Sequence, residues 1–433
     1  MASFTTKSLI SITIIAMVVI PTSFKICSLA ESKHYRQTRE GSAAPMTTRK
    51  LLQYSTIFNI LDYGAKGDGT TDDTQAFQAA WAATCPVPSS TMVVPSGFVF
   101  LVGPVTFSGP KCGSNIVFQL DGKIIAPTSP GPWGKGTLQW IQFKKLSGIT
   151  ITGKGTIDGQ GSVWWKNAAG LPSTRPTALR FYGSFRVTVS GITIQNSPWT
   201  HLKFDSCNGV QVYSMSTSSP GSSPNTDGIH LQNSLNVEIY SSNLACGDDC
   251  VSIQTGCSGI SIHDVSCGPG HGISIGGLGQ GNTKACVSNI TVTDVTMLNT
   301  QTAVRIKTWQ GGSGSVRGVT FSNIKVSAVK NPIVIDQYYC NVGKCKNQTS
   351  GVAVSGISYD NIKGTYTGQP VYFACSDSTP CTDITVSGIV LTPVQTTRAP
   401  FCWKTYGQVT TTTVPAINCL LAGNSSATGS QSC

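Results

Sequence analysis

Charge is scarce in this sequence. Only 11% of its 433 residues are Asp, Glu, Lys or Arg. Strong helix-forming runs are also few, which argues against an all-helical fold. The apolar run near the start, from Leu9 to Ile20, is much shorter than the ~20 residues a bilayer-spanning helix needs, and no later segment reads as one. The formal net charge is +11, yet the basic residues form no runs interleaved with aromatics, so nucleic acid is not the expected partner. An acidic polymer outside the cell fits that charge better. Low charge does not mean disorder here, because 39% of residues are hydrophobic and they are spread along the chain.

The first 30 residues read as targeting rather than fold. Lys7 precedes the apolar run, and Ser28, Leu29 and Ala30 offer small residues for cleavage. Secretion is expected, with residues 1–30 a signal peptide. Residues 31–54 are polar, include Arg36, Arg39, Arg49 and Lys50, and read as a flexible leader or propeptide. The folded part is expected over 55–433. The 16 cysteines agree with an oxidising compartment. Cys27 would leave with the signal, and the odd number remaining implies at least one unpaired thiol, with Cys246 and Cys433 as candidates. Asn289, Asn347 and Asn424 sit in N-x-S/T acceptor motifs.

From Ile57 onward the dominant signal is a short strand that recurs. Gly148–Ile151, Arg186–Val189, Gly209–Val212, Asn236–Ile239, Gly259–Ile262, Asn289–Val292, Gly318–Phe321, Gly356–Tyr359 and Asp383–Val386 all alternate with period two, at intervals of a solenoid coil. An inward Val or Ile cannot bury itself within one coil but can in a stack. The pattern therefore predicts an all-β, right-handed parallel β-helix rather than a sandwich. Thr71–Thr74 supplies capping side chains for a short helix, with Phe77, Ala80 and Trp81 on one face. That helix is placed to cap the first coil, where open sheet edges need cover.

Polar chemistry is densest in four successive coils: Asn225-Thr226-Asp227-Gly228, Gly247-Asp248-Asp249-Cys250, Gly270-His271-Gly272 and Arg305-Ile306-Lys307. Asp227 to Asp248 is 21 residues and Asp248 to His271 is 23, each about one coil, so these side chains should stack. Arg305 and Lys307, two apart on a strand, share a face. Gly247 suggests a bend that presents both Asp248 and Asp249 to one cleft. Three clustered carboxylates repel one another and keep at least one protonated, and glycoside hydrolysis needs one protonated and one ionised carboxyl. An Arg fork and a Lys point charge suit a uronic acid.

In order and in context these segments resemble the signature motifs of glycoside hydrolase family 28, the polygalacturonases, and most closely its plant branch. The resemblance spans about Phe58 to Cys419. It implies a secreted cell-wall enzyme that hydrolyses α-1,4-D-galacturonosidic bonds of pectin by an inverting mechanism, endo-acting, without metal or cofactor. It implies Asp248 as general acid, Asp227 and Asp249 as the carboxylates that hold and deprotonate water, and His271 as the group that supports the acid. Arg305, Lys307, Tyr338 and Asn225 would contact the sugar. The expected partner is polygalacturonate, with no nucleic acid or membrane, and the expected state is a monomer. Cys246 departs from the family pattern, which carries Thr there. Two rivals share the scaffold. One is a calcium-dependent lyase, for which the adjacent Asp pair would be metal ligands. The other is a non-catalytic wall-binding protein.

Overall fold

Inward Val, Ile, Leu and Phe at matching positions of successive coils build the molecule. In the computed structural model, residues 55–134, 138–166, 175–341, 345–395, 398–423 and 433 are described. The expected signal and leader, and Asn424, lie outside them. Each of the nine strand segments named from the alternation is in a strand, and each of those strands pairs in parallel with its neighbours. Strands group into an 11-stranded sheet and a 21-stranded set. The chain is a right-handed parallel β-helix.

The 11-stranded sheet positions the site. Its strands in chain order are β1 (Val105–Ser108), β2 (Gln139–Lys144), β3 (Thr177–Tyr182), β4 (Leu202–Asp205), β5 (Ile229–Gln232), β6 (Val251–Ile253), β7 (Ile273–Leu278), β8 (Thr302–Thr308), β9 (Asn331–Asp336), β10 (Val371–Ala374) and β11 (Phe401–Trp403). Neighbours in this list pair in register. Phe181, Phe204, Leu231, Ile253, Ile275, Ile306, Ile335 and Phe373 form one inward row. All of them are buried. Burying such a side chain is worth about 1.5–3 kcal/mol relative to leaving it exposed. The rings of Phe143, Phe181 and Phe204 stack within this row at 5.4 and 5.2 Å.

Because side chains alternate, the residues between those inward positions form outward rows. One runs Arg180, Lys203, His230, Ser252, Ser274, Arg305, Val334, Tyr372, Phe401. A second carries Tyr182 and Asp205 early, then Gly276, Lys307, Asp336, Ala374 and Trp403. Adjacent rungs are ~4.8 Å apart.

Helix α1 (Thr74–Thr84) packs Ala76, Phe77, Ala80 and Trp81 into the first coils. Phe77 meets Phe100, and Trp81 meets Phe107 and Phe143. Its capping differs from the sequence expectation. The Asp73 carboxylate accepts from the amides of Lys66 and Gly67 instead of the helix's own, and Asp72 accepts from Thr74 N–H. The loop before the helix competes for Asp73 because its own amides would otherwise go unpaired at the end of the coil. Among the described residues no helix is long and apolar enough to cross a membrane.

Candidate active site

The turns that lead into β5, β6 and β7 carry the acidic motifs. Asp227 precedes β5, Asp248 and Asp249 precede β6, and His271 precedes β7. Gly247 is what allows the second turn: a Cβ there would overlap the carbonyl oxygen of Ser223, one coil earlier. Its N–H donates to Thr226 Oγ1 at 2.9 Å, which ties the Asp248–Asp249 turn to the Asp227 turn. His271 N–H in turn donates to the Asp248 carbonyl at 2.7 Å. Three coils are thus clipped together by backbone amides, one to a side chain and one to a carbonyl, and their side chains meet in one groove of about 460 Å³.

Asp249 is buried, and both its oxygens are bound. Oδ1 accepts from Ser274 Oγ at 2.7 Å and Arg305 Nη2 at 2.8 Å; Oδ2 accepts from Lys307 Nζ at 2.8 Å. Asp248 Oδ1 lies 2.9 Å from His271 Nδ1, and its Oδ2 accepts from Asn225 Nδ2 at 3.2 Å. Asp227 Oδ2 lies 3.4 Å from His230 Nδ1, whose other neighbour is Ser252 Oγ at 2.7 Å. Behind Asp227, buried His201 donates from Nδ1 to the Asp227 carbonyl at 2.9 Å. Burial drops the His201 pKa to about 4, which keeps that ring neutral as a structural prop.

The field is uneven across the carboxylates. Burial pushes Asp227 up, and the charges of Asp248 and Asp249 add to the push, against the pull of His230. Burial also pushes Asp248 up, but the His271 hydrogen bond and the charges of His271, Lys307 and Arg305 outweigh it, so its carboxyl sits below the ordinary range. These shifts run opposite to the roles the family resemblance implies, under which Asp248 is the acid.

Seven of the eight residues named from the sequence line this groove: Asn225, Asp227, Asp248, Asp249, His271, Arg305 and Lys307. Tyr338 does not. Its hydroxyl donates to Asp377 Oδ2 at 3.0 Å, and the neighbouring Tyr339 lines the groove, with Lys307 Nζ 5.3 Å from its ring centroid. Two adjacent tyrosines just after a strand give no alternation to say which one turns inward to the site. His230, which does not belong to the four motifs, lines the groove too. Its strand position two residues after Gly228 put it on the outward face, a signal that could have found it. Gln254, Gln301, Trp199 and Trp309 also line it.

Asp248, Asp249 and His271 lie close enough together to hold a metal ion. The donor set fits one poorly. Arg305 and Lys307 already neutralise Asp249, and a divalent ion there would face two fixed cations.

The chain matches the model described as glycosyl hydrolases family 28 over residues 85–405, and one described as rhamnogalacturonase A/epimerase, pectate lyase-like, over residues 57–108. It is 44% identical over 345 residues to a polygalacturonase of Cryptomeria japonica, covering 77% of this chain and 67% of that protein. It is 37% identical over 410 residues to a probable polygalacturonase of Arabidopsis thaliana, covering 92% of this chain and 91% of that one. Among solved structures, the polygalacturonase from Erwinia carotovora ssp. carotovora superposes with a TM-score of 0.69 at 26% identity, covering 82% of this chain and 97% of that chain.

Proposed function

The chain belongs to glycosyl hydrolase family 28, and from that premise we propose that it is a secreted polygalacturonase of the cell wall. It hydrolyses α-1,4-D-galacturonosidic bonds in the homogalacturonan of pectin, within the chain, by an inverting general acid/base reaction that uses no metal. The observation that carries this reading is the clustering of Asp227, Asp248 and Asp249 in one groove with two cations that face them.

The residues divide the work as follows. Arg305 and Lys307 take the galacturonate carboxylate, and Asn225 and Tyr339 position the sugar. Asp248 protonates the leaving glycosidic oxygen while water, held by Asp227 and Asp249, attacks C1 from the opposite face and gives up its proton to a carboxylate. The substrate's own charge bears on the opposed shifts of Asp227 and Asp248. A uronate at Arg305 and Lys307 offsets the cations that hold Asp248 down. That favours a protonated Asp248, and neutralising Asp248 relieves one like charge beside Asp227. His271 holds Asp248 in place as it gives up its proton.

Metal independence is supported by the two cations on Asp249, and an acidic polymer by the net charge of +11. Purified protein should release reducing ends from polygalacturonate in EDTA with no near-ultraviolet absorbance. Release that needs calcium and yields an absorbing unsaturated product would establish a lyase instead. No release under any condition would leave a wall-binding protein.

A further inference from the structure

The outward rows of the sheet change chemistry along the axis. On the N-terminal side of the carboxylates, Arg180 on β3 and Lys203 on β4 occupy the rungs before His230. With Arg175 and Trp199 they line a recess of about 230 Å³, and Trp199 borders both that recess and the main groove. Arg180 is spoken for: Nη2 binds Asp205 Oδ2 at 2.6 Å, and its guanidinium lies 5.0 Å from the Tyr182 ring centroid. Lys203 has no ion pair within 4 Å among the described residues, and burial pulls its pKa down, as expected of a half-buried ammonium lacking a close counter-charge. Arg175 has a carbonyl for company, that of Pro224 at 3.5 Å.

On the C-terminal side the rungs after Arg305 and Lys307 carry Val334 and Asp336, and the next two carry Tyr372, Phe401 and Trp403. Tyr372 and Phe401 stack at 5.3 Å, and Phe401 and Trp403 are 40% and 48% exposed. Their burial pattern alternates with Cys402, so both face outward on the same surface as Arg305 and Lys307. Asp377 joins this terrace, accepting from Trp403 Nε1 and from Tyr338 Oη, each at 3.0 Å. The charged groups here are therefore mainly acidic, Asp336 and Asp377, with Lys404 at the edge against the Trp403 ring.

We propose that the groove reads the methyl-ester pattern of its substrate: free carboxylates sit at the Arg175–Arg180–Lys203 end, and methyl-esterified galacturonosyl units lie on the Tyr372–Phe401–Trp403 terrace. The proposal rests on the polygalacturonase reading and extends it. A free carboxylate over the terrace meets Asp336 and Asp377 and loses water against ring faces that give no hydrogen bond in return. Esterification removes that charge and adds a methyl group to stack on the rings. At the other end the preference reverses, because an ester leaves Lys203 and Arg175 half-buried with no anion.

The test compares wild type, Trp403→Ala and Lys203→Met on fully de-esterified polygalacturonate and on the same polymer partly methyl-esterified at random. Mass spectrometry also sequences the two new ends that wild type makes. Trp403→Ala should lose roughly three- to tenfold in kcat/KM on the esterified polymer and stay at wild type on the de-esterified one. Lys203→Met should lose roughly tenfold or more on the de-esterified polymer. In wild-type products, esters should be enriched beside one new end and depleted beside the other. Equal losses on both polymers for Trp403→Ala, or esters spread evenly across the cut, overturn the proposal while leaving hydrolysis intact. The end-sequencing uses only wild type, so a variant that fails to fold does not rescue the idea. Absence of new ends from either polymer overturns the hydrolase reading, and this one with it.

Discussion

Lys307 has two jobs in one side chain. It is nearly buried, it holds Asp249 Oδ2, and it faces the groove where a uronate would bind. A residue that met the substrate alone would change KM when removed. Lys307→Ala should instead raise KM and lower kcat together, because Asp249 loses one of its two cations. Steady-state kinetics on polygalacturonate separates the cases, and an unchanged kcat would confine Lys307 to binding. Asp227 carries the opposite strain. Its folded pKa is raised, so the native state binds a proton more tightly than the unfolded chain, and stability falls as pH rises from the unfolded value through the folded one. Asp227→Asn removes that cost. Its thermal midpoint should exceed wild type at neutral pH, and the gap should close in acid, below the ordinary Asp range. A constant gap at every pH would place the effect in packing rather than charge.

At the scale of elements, strands were readable because period-two alternation is local and each coil repeats it. The stacking of the acidic motifs was readable from coil-length spacing. Other features depended on neighbours that no local pattern shows. Asp73 belongs to the Lys66–Gly67 loop rather than to α1, and Tyr339 rather than Tyr338 enters the groove. The downward shift of Asp248 depends on how Arg305 and Lys307, 34 and 36 residues after His271, return beside Asp248 and Asp249. The two outward rows needed the register itself. Gly247 shows what a single turn contributes. With Ala there, a methyl group must displace the Ser223 carbonyl, and the Asp248–Asp249 turn moves with it. Such overpacking costs about 1–3 kcal/mol. Gly247→Ala should lower the thermal midpoint modestly and lower kcat far more; a stable variant with wild-type kcat would show that the turn tolerates the shift.

At the scale of the whole fold, six disulfides among the described residues fasten the coils and their ends: Cys85–Cys112, Cys250–Cys267, Cys286–Cys433, Cys340–Cys345, Cys375–Cys381 and Cys402–Cys419. Cys207, Cys246 and Cys257 are free among the described residues. The odd count predicted an unpaired thiol, and Cys246 is one, while Cys433 is paired. All three are buried, and burial raises each thiol, Cys207 and Cys257 to about 11. Native protein should resist alkylation at these three and take the label at all three once denatured without reductant. Labelling of Cys433 would contradict the pairing, and labelling of native Cys246 would show that the acidic turn opens. The same stack of coils that hides Cys246 brings Asp227, Asp248 and Asp249 into one groove, where we propose that they direct water at C1 without a covalent intermediate. Proton NMR of the first-formed products of polygalacturonate hydrolysis tests it most directly. The β-anomer should appear at the new reducing end before mutarotation sets in; an α-anomer as first product would mean retention and a covalent intermediate.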